Sequence, residues 1–336
     1  LGDGKNYSPA FGLPGTHYQE TTPDGEKRLC HLDMGENPPE GVIVNYFIES
    51  EANFKPEKPL ELIVLDANGS EIEGFSTKKT NEKSDKSESE ESEPSDEKAS
   101  LTSKVGFNRF VWNMHYPGPE VKIDKSLEEP GYKPLGQGEA GAGGGPIAPP
   151  GSYQVCLKSG ENEIRHSFEI IKDPRLNTSP EDFSAQFELW IKIRNRVSDV
   201  NSAINHIRRI KLQITELLAR ENFNNSAEEK SFGEIQKGAE ALREKFNKLE
   251  NELTQNQYET PSDRLRHPTM LKQRMEALVS VVAVADAAPP QQAYLVFEHL
   301  SVLIDQRLAE LSELEEQEVV RLNQQIDQAG IRKLQG

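Results

Sequence analysis

The sequence predicts an α+β multidomain chain, an antiparallel β-sandwich followed by an antiparallel up-down helical bundle with long helices. Three observations carry this reading. Gly, Pro and β-branched residues crowd the first half, whereas from Pro180 onward long stretches run almost free of Gly and Pro. Between residues 41 and 171 apolar positions alternate with period two, and beyond Asp173 they recur at the 4-3 spacing of an amphipathic helix. The 336 residues accommodate roughly two or three compact units at about 100–200 residues each. We read an irregular lead-in at 1–40, the sandwich at 41–172 and a four-helix bundle at 173–336.

The lead-in carries the turn formers Gly12, Pro14, Gly15, Pro23, Gly25, Pro38 and Pro39 among scattered aromatics. From Val42 to Ile48 the side chains alternate, which suits a strand buried on one face and partly covered on the other. Leu60–Leu65 is a second strand, and Asp66-Ala67-Asn68-Gly69 ends it because Asn-Gly tolerates the positive φ of tight hairpins. Ile72–Phe75 returns antiparallel. Residues 78–100 hold no aromatic or branched aliphatic side chain, so burial cannot offset their ordering entropy and they read as a disordered acidic insertion. Phe107–Trp112 resumes the strand pattern. The loop at 131–150, with its glycine run Gly136–Gly145, has no flanking buried strand and helix N-terminus to make a phosphate cradle, and reads as a connector. Ser152–Leu157 and Ile164–Ile171 close the sandwich as a hairpin with Gly160 in its turn.

Ser179-Pro180-Glu181-Asp182 starts the first helix, with a hydroxyl N-cap, proline at the first helical position and acids in the first turn. Apolar residues at 183, 187, 190, 193, 197, 200, 204, 207, 210, 214 and 217 make one stripe along it. A capping box at Ser226–Glu229 opens a second helix, whose stripe runs from Phe232 to Leu253. The third starts near Pro268 and the fourth runs from about Pro290 to Ala329, with Gly330 as its stop. No stripe can be buried alone, and the loops at Glu221–Asn225 and Thr260–His267 favour chain reversal within one molecule over a homodimeric coiled coil.

The formal net charge is −17, most of it before Asp173. Such a chain repels nucleic-acid backbones and anionic membranes, and no apolar run approaches the roughly 20 residues of a membrane span. It begins at Leu1 without a signal-peptide pattern and reads as a mature form or a fragment. Cys30 and Cys156 are too few for a disulfide scaffold or a cysteine zinc site and read as thiols, free or half-buried. Glu298 and His299 are adjacent in sequence, so they do not make the i, i+3 pair of a bundle metal site. His206, with Arg208, Arg209 and Lys211, reads as a solvated helix face. Trp112 and Trp190 sit in apolar periodic patterns that suit core packing. No catalytic, cofactor-binding or metal-binding residue is assigned, no cofactor is expected, and the chain reads as a non-enzyme.

Taken in order, Asn37–Tyr46 (NPPEGVIVNY), Leu62–Gly69 (LIVLDANG), Gly106–Pro119 (GFNRFVWNMHYPGP), Pro149–Val155 and Asp173-Pro174-Arg175 resemble one known region. It is the stretch that follows the sortilin-like (Vps10-type, BNR-repeat) β-propeller in large secreted bacterial glycosyl-hydrolase-like proteins, a family of unassigned function. The resemblance covers most of 37–215. It departs at Met114-His115, where leucine and arginine are expected, and in the length of the 78–100 insertion. The resemblance implies an immunoglobulin-like sandwich beside a propeller outside this chain, in an extracellular or periplasmic protein. It implies a non-catalytic accessory module whose partners are that propeller and, through the bundle, another protein or a second copy. The alternative is a glycan- or peptide-processing hydrolase whose catalytic residues lie in the propeller.

Overall fold

A computed structural model describes residues 7–9, 16–21, 27–31, 39–49, 59–77, 101–127, 144–219, 226–256, 263 and 265–328. The chain is mixed α and β, with small antiparallel sheets first and helices after. The lead-in departs from expectation. Strands β1 (Tyr7–Pro9), β2 (Thr16–Thr21) and β3 (Lys27–His31) form a three-stranded antiparallel sheet in sequence order. In sequence the turn formers at 12–15 and 23–25 fall between these strands, outside the described residues. The 78–100 insertion and the glycine run before Gly144 lie outside the described residues, as do 221–225 between the first two helices.

Strand β4 (Val42–Ile48) pairs antiparallel with β7 (Gly106–Trp112), and β5 (Leu60–Leu65), β6 (Glu71–Ser76), β8 (Gly151–Ser159) and β9 (Asn162–Ile170) form a second sheet in the order β6-β5-β8-β9. The two sheets share one hydrophobic core. Tyr46, Phe110 and Trp112 from the first sheet pack with Leu62, Val64, Phe75 and Tyr153 from the second. The expected Asn-Gly hairpin joins β5 to β6. Gly69 has φ +81°, and the Asp66 carboxylate accepts from the Asn68 and Ser70 N–H groups at 2.9 and 2.8 Å. Gly41 carries φ +137°, and a Cβ there would collide with the Trp112 carbonyl, so only glycine lets β4 start against the end of β7. Near the start of β8 the Tyr153 hydroxyl donates to the Pro149 carbonyl at 2.7 Å. The outer face of β4 and β7 is open rather than partly covered, with Phe47 60% and Phe107 81% exposed and their rings edge to face at 5.6 Å.

Helix α1 (Pro180–Leu218) begins at the expected Ser179 N-cap, which the structure closes as a capping box. The Ser179 hydroxyl accepts from Asp182 N, and the Asp182 carboxylate accepts from Ser179 N. Helices α2 (Ser226–Leu253), α3 (Leu271–Val282) and α4 (Gln291–Glu313) pack with α1 about a second core, whose fully buried members include Ile193, Ile204, Ile214, Phe246, Met275 and Ile304. The fourth helix is not one uninterrupted α-helix to Ala329. A π-helical segment at Leu314–Val319 separates α4 from α5 (Val320–Gln328). The reason lies in the stripe. Its inward positions step from Leu311 to Leu314 and then five residues to Val319 before Leu322 and Ile326, and a π turn absorbs the extra residue and returns Val319 to the core. Among the described residues no helix is long and apolar enough to cross a membrane.

Candidate functional site

The residues after β7 leave the sheet and run along α1, joining the two cores. Asn201 and Asn205 of α1 donate side-chain N–H groups to the Val121 and Lys122 carbonyls at 2.8 and 2.7 Å, and Asn205 accepts from Asp124 N at 2.8 Å. These amides satisfy a strap backbone that would otherwise lose its partners on burial. Ile123 packs against the helical core, and a 3-10 turn at Lys125–Leu127 ends the described strap. Nearer the sheet, Tyr116 stacks edge to face on Phe187 at 4.7 Å and His115 lies edge to face with Trp190 at 6.3 Å. The glycine loop takes part at its end. His115 Nδ1 donates to the Gly145 carbonyl at 2.7 Å, Gly145 N donates to the Tyr116 carbonyl, and His115 bridges Ile147. A Cβ at Gly145 would overlap the Tyr116 and Pro117 carbonyls. Residues 144–150 therefore form a packed closing segment rather than a connector.

Beside this junction lies a cleft of about 200 Å³. Its floor is apolar, built by Phe183, Phe187 and Trp190 of α1 against Met114, Ala148 and Ile170. The capping box places the first turns of α1, and Gln186 fastens the opposite wall by donating to the Val282 and Ala285 carbonyls, both at 2.7 Å. Met114 has φ +63°, a left-handed conformation that is costly for a long side chain, and its carbonyl accepts from Ala148 N at 2.7 Å. The rim is polar. Lys172 Nζ donates to the Thr178 carbonyl at 2.9 Å, and the Thr178 hydroxyl donates to the Asp286 carbonyl at 2.5 Å. Arg175 grips Asp173 through Nε at 2.9 Å and Nη2 at 2.5 Å, and these hydrogen bonds hold the Asp173 carboxyl at about 2, below its ordinary value. Asp286 is exposed and makes no ion pair among the described residues. The volume is below the roughly 300–1,000 Å³ of small-molecule sites, so the cleft suits one or two side chains.

Trp112 and Trp190 both lie in cores, and Trp190 also lines the cleft. Cys30 and Cys156 are free thiols; Cys30 reaches Glu20 at 3.6 Å, and burial pushes the Cys156 thiol up. The face around His206 departs from its solvated reading. His206 meets Glu315 at 2.7 Å, while Arg208 is buried with its Nε 2.7 Å from the buried carboxylate of Glu250, which Lys211 also reaches at 3.0 Å. Nothing in the spacing marks this cluster, since Arg208 and Glu250 are merely next to stripe positions 207 and 249. A second buried pair, Lys272 with Glu276, spans one turn of α3. Among the described residues no three His, Cys, Asp or Glu side chains converge as a metal site. Comparison of the chain with protein families, curated proteins and solved structures returns no match.

Proposed function

We propose that this chain is a non-catalytic accessory module of a secreted, propeller-containing protein, working through intramolecular packing and protein contacts. The exposed aromatic face of β4 and β7 carries the reading. Phe47, Phe107, Ile43 and Val105 present apolar surface to solvent around the Asn45–Arg109 hydrogen bond. A surface of that kind on a two-stranded sheet is a contact surface in search of a covering element. On the resemblance, that element is the propeller and the protein is extracellular or periplasmic.

The finer fold belongs to the same proposal. The order β6-β5-β8-β9 facing β4-β7 corresponds to strands C′, C, F and G against B and E of an immunoglobulin-like sandwich. The Tyr153 to Pro149 bond near the start of β8 matches the tyrosine corner of such domains. Contacts of α1 with α2, α3 and α4, and of α2 with α4, support an up-down bundle beside it. The test is co-elution of this chain with the remainder of its full-length protein expressed as a separate polypeptide. The wild-type chain co-elutes, and the double variant Phe47→Ser/Phe107→Ser melts like the wild type yet elutes alone. Turnover of a glycan or peptide by the full-length protein, lost when this chain is removed from it, would move the hydrolase reading ahead of it.

A further inference from the structure

We infer that two copies of this chain join edge to edge through strand β9, in an antiparallel register centred on Ser167, as one continuous sheet. This edge is separate from the β4–β7 face. Backbone geometry comes first. β9 is the outer strand of the sheet β6-β5-β8-β9, and among the described residues no strand pairs with its other side. Gly160, with φ +63°, makes the two-residue turn into it, and Ser159 faces Asn162. In such a hairpin that flanking pair and every second pair after it exchange both backbone bonds. Ile164, His166, Phe168 and Ile170 therefore bond to β8, and Glu163, Arg165, Ser167 and Glu169 aim N–H and C=O at the open side. Sheet edges are usually blunted by bulges, proline, shortness or charge. β6, at the opposite edge, is six residues long and pairs across a register shift. β9 runs nine residues in unbroken register without proline, and Asn162–Ser167 are all exposed.

The one guard left is charge, and its pattern fits a second copy. A two-fold axis at Ser167 sets Ser167 against Ser167, Arg165 of each copy against Glu169 of the other, Ile164 against Ile170 and His166 against Phe168. Residues 164–170 of both strands then pair, with about six backbone bonds, two each at 165–169, 167–167 and 169–165. Ile164 is 69% exposed although it shares the core-facing side of β9 with Phe168 and Ile170, and the pairing gives it an apolar neighbour. Glu169 makes no ion pair among the described residues, and Arg165, though held by Glu163, keeps a half-exposed side chain. The neighbouring registers fit worse. Centred on Arg165 they oppose two arginines, on His166 they oppose Glu163 and Glu169, and on Phe168 they leave Arg165 facing Ile171. Centred on Ile164 the charges match, but only 162–166 pair before the turn. The net charge of −17 opposes approach, yet it is screened beyond about 8 Å at physiological ionic strength, while these pairs meet in contact.

Sedimentation equilibrium of the full chain, from about 1 µM to about 1 mM, tests the pairing. The wild type is expected to pass reversibly from monomer to dimer and no further, because the two-fold axis uses both β9 edges. Ser167→Pro removes an N–H that β8 does not use, so the melt is expected to stay close to the wild type while the dimer is lost. Glu169→Arg opposes like charges twice and weakens the dimer about tenfold, and Arg165→Glu/Glu169→Arg restores it to within about threefold of the wild type. These exposed-position variants decide the question even if the proline variant does not fold. A monomeric wild type, assembly beyond the dimer, a dimer indifferent to Glu169→Arg, or a double variant no better than Glu169→Arg overturns the inference. A dimer lost in Phe47→Ser/Phe107→Ser but kept in the β9 variants also overturns it, and leaves the contact reading of β4 and β7 standing.

Discussion

Trp112 is 1% exposed, its ring packs near Tyr153 and Phe168, and its indole N–H donates to the His115 carbonyl at 3.2 Å. Replacing it by alanine leaves a cavity and an orphaned carbonyl, so Trp112→Ala is expected to cost about 3–5 kcal/mol and lower the melting temperature sharply. A near-wild-type melt would show that the residue serves a surface. The tyrosines predict a second response. Burial, more than any other cause, raises the Tyr46, Tyr116 and Tyr153 hydroxyls above the ordinary 10.0. The folded state thus holds these protons more tightly than the unfolded chain. Their contribution is present in full below pH 10 and lost as pH rises past it. Thermal melts from about pH 8 to about pH 11 should fall in step with a late tyrosinate signal, and a flat profile would refute the burial of these phenols. At this scale the sequence marks which aromatic shares a face with which. It does not mark Arg208 as buried, because a charge beside an apolar stripe is solvated or enclosed according to what lies across from it.

At the scale of elements, helix α1 is the clearest case of local legibility. Its N-cap, proline and first-turn acids are contiguous in sequence and act on N–H groups a few residues away, so no distant partner is needed. Ser179→Ala is expected to cost about 1 kcal/mol, within a range of roughly 0.5–2, while leaving the helical circular dichroism of the chain intact. A larger loss would mean that Ser179 also holds the cleft. The strands follow suit. β4, β5 and the β5–β6 hairpin lie where alternation and Asn-Gly predict them, since pleat and turn chemistry are local. The fourth helix shows the limit of pattern reading. The five-residue step from Leu314 to Val319 is present in the sequence and is the signal of the π segment, but it becomes decisive only once the facing helices require Val319 inward. The lead-in shows the converse error, in which turn formers outweighed the short runs between them that pair as β1 to β3.

At the scale of the molecule, the two cores are coupled through the strap and the cleft. A fragment of residues 173–336 lacks Ile123 and the Val121 and Lys122 carbonyls that Asn201 and Asn205 bind. Its helices keep their own core, so strong helical circular dichroism is expected. Its melting temperature should nonetheless fall several degrees below that of the helical signal in the full chain, because two buried amides lose partners and one apolar contact is gone. Equal melting temperatures would show that the strap contributes nothing, and a random-coil spectrum that the helices depend on the sheets.

Local chemistry, repeated along the chain, is what the sequence by itself determined here. The strand and helix periods, the capped start of α1, the Asn-Gly hairpin and the acidity are each legible within a few residues or by summation. Tertiary structure alone decided which faces found cover. The period-two pattern puts Phe47 and Phe107 on one face, yet only the arrangement of sheets leaves that face open. The cleft likewise gathers residues 114, 147–150, 170–173, 183–190 and 283–286, which no spacing relates. Burial is a property of what stands opposite a side chain, and what stands opposite is set by long-range packing that no local pattern encodes.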